Sequence, residues 1–179
     1  MIHSFIGKSP EFDETNWIAP SADVIGDVVM GKYSSIWFNA TVRGDVNRIH
    51  LGDYSNVQDN AVVHVTNRTA PTHIGNHVTI GHSAVVHGCT LEDNVLVGMG
   101  AIILDHAVIG HDSIIGAKAL VTSRMVVPPR SMVLGAPAKV VRQLTDDEVA
   151  YIRKFADNYV KYSAIYKGDE VPETNPFYD

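Results

Sequence analysis

The sequence predicts an all-β solenoid, a coil of short parallel strands, followed by one C-terminal α-helix. Three observations carry that prediction. Aliphatic residues recur every six positions over most of the chain, glycines recur beside them, and near residue 142 the pattern changes to helical spacing. A six-residue period is not a helix period. It is the two-residue alternation of a strand, interrupted regularly by turns.

The repeat begins at Ile18 and continues through Val24, Met30, Ile36 and Val42. It resumes at Leu51, Val57 and Val63, again at Ile74, Ile80 and Val86, and finally runs from Leu91 through Val97, Ile103, Ile109, Ile115, Val121 and Val127 to Val133. Every one of these positions is aliphatic or methionine. Many repeats also carry a small residue two places before the next aliphatic, as at Ala22, Ala40, Ala61, Ala84, Ala101 and Ala119. One rung cannot bury its apolar face alone, so stability is expected from stacking successive coils about 4.8 Å apart. Gly26, Gly31, Gly52, Gly75, Gly81, Gly98, Gly110 and Gly116 are expected at turns, where backbone freedom is needed.

This pattern resembles the left-handed parallel β-helix of the hexapeptide-repeat superfamily. The resemblance implies three hexapeptides per triangular coil and sets the handedness, since the general crossover rule would favour the right-handed form. The faces are named A, B and C here, with Ile18 on A. The register breaks between Val42 and Leu51, between Val63 and Ile74, and between Val86 and Leu91. The first two breaks are too long and are expected to be outward loops, at 43–48 and about 66–72. The third is one residue short. Loops on a rigid solenoid are natural places for function.

The period ends after Gly135-Ala136-Pro137-Ala138-Lys139. Thr145-Asp146-Asp147-Glu148 then has the pattern of a capping box. Val149, Ile152, Phe155, Ala156, Tyr159 and Val160 follow at helical spacing, and Gly168 is the expected stop. The organisation read from the chain is a β-helix over 1–142 and a helix with an irregular tail over 143–179, the helix lying on one face of the coil.

Composition narrows the function. The chain has 179 residues, 45% apolar and 19% charged, with net charge −6, and lacks the basic stripe that nucleic acid requires. No apolar run is long enough to span a membrane. The N-terminus has no basic segment followed by an apolar one, and the single cysteine, Cys89, is expected to be a buried structural thiol. A cytoplasmic protein is expected.

Histidines carry the chemical signal. Val42, Val63 and Val86 all fall on face B, so the residues that follow them, Arg43, His64 and His87, form a column one coil apart. Two imidazoles at that spacing can reach one ion at Zn–N distances of about 2.0–2.1 Å. His82 follows Ile80 by two places, on face A. It is therefore expected to join the His64 and His87 of a neighbouring copy, giving a three-histidine site with an open position in a homotrimer packed A against B. The plainer reading is three unrelated surface histidines. His3, His50, His106 and His111 read as ordinary polar surface. His73 and His77 sit near the second long break and are candidate proton relays.

Arg43-Gly44-Asp45, Asn56-Val57-Gln58-Asp59-Asn60 and the stretch from Gly81-His82 to His87-Gly88, taken in this order, resemble the γ-class carbonic anhydrase family. The resemblance implies hydration of CO2 to bicarbonate, a lyase activity, by water activated on Zn2+ or on another divalent metal such as Fe2+ or Co2+. It implies His64, His82 and His87 as ligands and Gln58 as the residue that orients the reacting water. Arg43 and Asp59 would form an intersubunit ion pair, with Asp45 as an acidic neighbour. Tyr159 either lies near the open position or simply packs the helix. The sequence departs from the family's prototypes in having Val46 where they carry a glutamate, and no acid between Thr66 and Thr72. Three other readings compete: a thioesterase-like hydrolase, an acyl-CoA-dependent acyltransferase, and a non-catalytic trimeric scaffold.

Overall fold

The stacking columns read from the sequence are present pair by pair. The computed structural model describes residues 1–175 as a parallel β-solenoid of about seven turns with a C-terminal helix. On face A, Ile36 lies opposite Ile18 and Val57, and Ile80 lies opposite Val57 and Val97. On face B, Val63 lies opposite Val42 and Val86, and Val86 opposite Ile103. On face C, Ile74 lies opposite Leu51 and Leu91. The columns form one continuous core, in which only Ile18 of the repeat aliphatics is partly exposed. Burying each such side chain contributes roughly 1.5–3 kcal/mol, which offsets the cost of ordering strands as short as two residues.

The first register break is not an outward loop. The strand Thr41–Leu51 runs unbroken through it, paired with Asp23–Met30. Gly26 faces Gly44 and Val28 faces Ile49, so Asp27 alone stands opposite Asp45, Val46, Asn47 and Arg48. The surplus residues are absorbed as a bulge, which keeps their backbone in the sheet and turns alternate side chains out. The second break is a loop as expected, a tight turn closed by the Thr66–Ala70 bridge.

The repeat glycines also differ from expectation. Of those named above, only Gly26 has positive φ. The left-handed corner positions are held by Asn39, Tyr54, Asn60, His77, Ser83, Asn94 and their counterparts in other coils. Glycine is needed instead for close approach between coils: a Cβ at Gly52 would lie 2.4 Å from the Gly75 carbonyl oxygen.

The strand Ala138–Gln143 continues the face-A sheet by pairing antiparallel with Ser131–Gly135. The helix Asp146–Lys167 follows, with a reciprocal Thr145–Glu148 capping box and a left-handed Gly168 at its end. It buries Ile152, Ala156 and Ser163 and packs on the face-A strands Trp17–Ile18, Ser35–Ile36 and Thr79–Ile80. Face A is therefore covered by the chain's own helix, and what it leaves for a neighbour is its edge toward face B. Among the described residues no helix is long and apolar enough to cross a membrane.

Candidate metal centre

His64 and His87 end two paired strands, Val62–His64 and Val85–His87, whose register sets the two residues directly opposite. Their ring centroids are 5.0 Å apart, and His64 Nδ1 lies 3.1 Å from His87 Nε2. The outer nitrogen of each ring meets a carboxylate. His64 Nε2 is 3.1 Å from Asp45 Oδ1, and His87 Nδ1 is 2.5 Å from Asp105 Oδ1. A neutral imidazole donates from one nitrogen and offers a lone pair on the other. Both lone pairs then point into one gap, the arrangement in which carboxylates orient metal-binding histidines.

Electrostatics support a neutral His64 ring. Burial pushes the His64 pKa down, against the opposing pull of Asp45. Burial works to raise the Asp45 carboxyl, but hydrogen bonds from Arg43 and His64 outweigh it and hold the group below its ordinary value. Arg43 donates to Asp45 in its own strand. The Arg43–Asp59 pair is expected between subunits, and within the chain each residue has another partner.

Asp59 belongs instead to His82. The two stand at successive A–B corners, tied by the Ser83 N–H donating to the Asp59 carbonyl, and Asp59 Oδ2 is 2.9 Å from His82 Nδ1. The His82 side chain is 38% exposed, and its Nδ1 is the nitrogen that faces Asp59. Tyr159 is close by. Its ring packs edge-on against Trp37 at 4.9 Å, while burial, with Asp59 and Tyr162 nearby, pushes its phenol up to about 12. Tyr159 therefore packs the helix against the coil. Gln58 is buried, and its amide donates to Asn56 at 3.4 Å.

The expected site residues thus fall into two groups. Face B carries Arg43, Asp45, His64 and His87. The A–B corner carries Gln58, Asp59 and His82, and Tyr159 lies on the helix packed over face A. Within one chain no three His, Cys, Asp or Glu side chains among the described residues are arranged to hold a metal.

The pattern described as bacterial transferase hexapeptide (six repeats) matches residues 88–123. A probable carbonic anhydrase of Methanocaldococcus jannaschii is 56% identical over 82% of this chain and 91% of its own length. The carbonic anhydrase of Geobacillus kaustophilus is 39% identical over 98% and 96%. Gamma carbonic anhydrase 2, mitochondrial, of Arabidopsis thaliana is 46% identical over 90% of this chain. The chain belongs to the γ-class carbonic anhydrase-like family of hexapeptide-repeat proteins. It spans 60% and 63% of the lengths of gamma carbonic anhydrases 2 and 1 of Arabidopsis. Among solved structures, a putative acetyltransferase of Bacillus cereus superposes with a TM-score of 0.91 at 37% identity, over 94% of this chain and 98% of its own.

Val46 is 40% exposed on the bulge. His73 stacks on His50 on face C, with centroids 4.8 Å apart, and His77 stacks on Tyr54 at the corner between faces C and A. Neither candidate relay is brought to the His64–His87 pair. The sequence reading missed Asp105 altogether, and it did not foresee the contact of Asp59 with His82. The coil from Val86 to Ile103 is one residue short of eighteen, so register sets Asp105 opposite Gly88 and spacing gave no signal for its contact with His87.

Proposed function

We propose that this protein is a metal-dependent hydratase converting CO2 and water to bicarbonate, with its site built between subunits of a homotrimer. The observation that carries this reading is the pair of facing nitrogens on His64 and His87, each ring backed by a carboxylate. His64 and His87 of one protomer and His82 of the partner subunit would hold the ion, leaving a position open. When bound, Zn2+ or another divalent metal supplies the Lewis acidity that brings the ionisation of water near neutral pH. The histidines suit several such metals.

The chain's own residues do the rest. Asp45 and Asp59 fix the rings of His64 and His82, and the Arg43 charge keeps Asp45 ionised. Gln58 orients the attacking water. The product proton leaves without the usual glutamate, so turnover is expected to be limited by proton exit to buffer. A neighbour seated on face B would also cover Val62 and Ile102, apolar side chains that are 37% and 38% exposed beside the histidines. A cytoplasmic location fits this reading.

Two measurements test it. Metal analysis of the purified protein should give near one ion per chain, lost in His82→Ala. Stopped-flow CO2 hydration, with buffer concentration varied, should show activity that rises with buffer. A metal-free wild-type trimer would contradict the proposal. The likeness to the Bacillus cereus structure named a putative acetyltransferase favours a second reading, an acyl-CoA-dependent transferase. Saturable acyl-CoA binding with no CO2 hydration would select it.

A further inference from the structure

We propose that Asp105 is the positioning residue of His87, dictating which ring nitrogen carries the proton and so aiming Nε2 into the gap shared with His64. Its significance for metal binding rests on the reading of these histidines as ligands.

The Asp105 carboxylate is held on both sides. One oxygen is 2.5 Å from His87 Nδ1, and the other accepts from the Thr66 hydroxyl at 2.6 Å. An ionised carboxylate can only accept, so the ring must carry its proton on Nδ1. That leaves the Nε2 lone pair facing His64 Nδ1 at 3.1 Å.

This reach depends on a feature of the coil. Val86 pairs with Ile103, so in register Asp105 stands opposite Gly88, not His87. Its carboxylate turns back toward His87 through space that only a glycine leaves. A Cβ at Gly88 would lie 2.4 Å from Asp105 Oδ1 and 2.8 Å from the Ala70 side chain, and Gly88 has φ +56. The corner that is one residue short and the inserted loop therefore meet around one carboxylate. The loop is tied to the same strands at its other end. Thr72 donates its hydroxyl to the His64 carbonyl at 2.5 Å and accepts from the Gly88 N–H at 2.9 Å. The two later breaks in the repeat thus have a common role: they build the slot that holds Asp105 against His87.

The test uses 15N NMR of the imidazoles in metal-free protein, above the ordinary imidazole pKa where the rings are neutral, together with zinc affinity by chelator competition. Wild type should hold His87 as the Nδ1–H form. Asp105→Ala should release it to a mixture of tautomers, leave the His64 tautomer unchanged, and weaken zinc roughly 10–100-fold. Asp105→Asn keeps an acceptor and should restore the Nδ1–H form with a smaller loss, and Thr66→Val should fall between. If Asp105→Ala does not fold, the latter two carry the comparison. An unchanged His87 tautomer and unchanged zinc affinity in the variants would overturn the proposal. Wild type that takes up no zinc would overturn the metal reading instead, while the tautomer comparison still decides the role of Asp105.

Discussion

His64 Nδ1 and His87 Nε2 face one another at 3.1 Å, on two residues that strand register sets directly opposite. Both side chains are partly exposed, at 17% and 30%, so little core packing depends on either. Removing one should abolish metal binding at little cost to the fold. His64→Ala and His87→Ala are each expected to lose the bound metal, while metal-free stability in denaturant titrations stays within about 1 kcal/mol of wild type. A larger drop would mean that the pair is structural.

Glycine at the coil edge serves close approach, and a substitution pair can separate this from conformational freedom. Gly52→Ala places a methyl 2.4 Å from a backbone oxygen and should destabilise by about 1–3 kcal/mol. Asn60→Gly, at φ +59, relieves a left-handed residue but loosens the unfolded chain, so it should lie within about 1 kcal/mol of wild type. Urea unfolding of the two variants reads the difference.

Glu148 joins the capping box to Arg142. Hydrogen bonds from Arg142, then from the Thr145 backbone, hold its carboxyl down to about 2 from a reference of 4.5. Because the folded value is the lower one, the contribution is fully present above pH 4.5 and is lost as pH falls from there toward 2. Wild type should therefore be more stable than Glu148→Gln at neutral pH, and the two should converge toward pH 2. Thermal melts followed by helix circular dichroism across that range check the convergence.

Cys89 is 2% exposed, and burial pushes its thiol up to about 12. A thiol that neither ionises nor meets solvent should not react with a disulfide reagent in the native state. Full reaction is expected only after unfolding, and a fast native reaction would show that the core opens at this coil.

Much of the fold was legible because each inward position of a six-residue repeat answers to one requirement, burial. Ile36, Val57 and Ile80 read as a column before any coordinates. What escaped was set by contacts that leave no periodic trace. The length of the break at 43–48 could not tell a loop from a bulge, because backbone pairing does not depend on side-chain pattern. The strand Ala138–Gln143 has mostly exposed side chains and pairs only through its backbone, so it carried no hydrophobic signal. Within the site, strand register made the His64–His87 pair readable. Asp105 was not readable, because it reaches His87 past a glycine from the neighbouring register position. The contact of Asp59 with His82 was not readable either, because it joins side chains at successive corners that carry no periodic signal.

The division of the candidate ligands between face B and the A–B corner allows a complementation experiment. His64→Ala and His82→Ala chains would each lack one ligand of every site when assembled alone. In a mixed trimer of either composition, one interface joins an intact face B to an intact corner. Metal analysis of the co-refolded mixture should recover about one ion per mixed trimer where neither variant alone binds any. No recovery in verified mixed trimers, or full binding by either variant alone, would contradict a site shared between subunits.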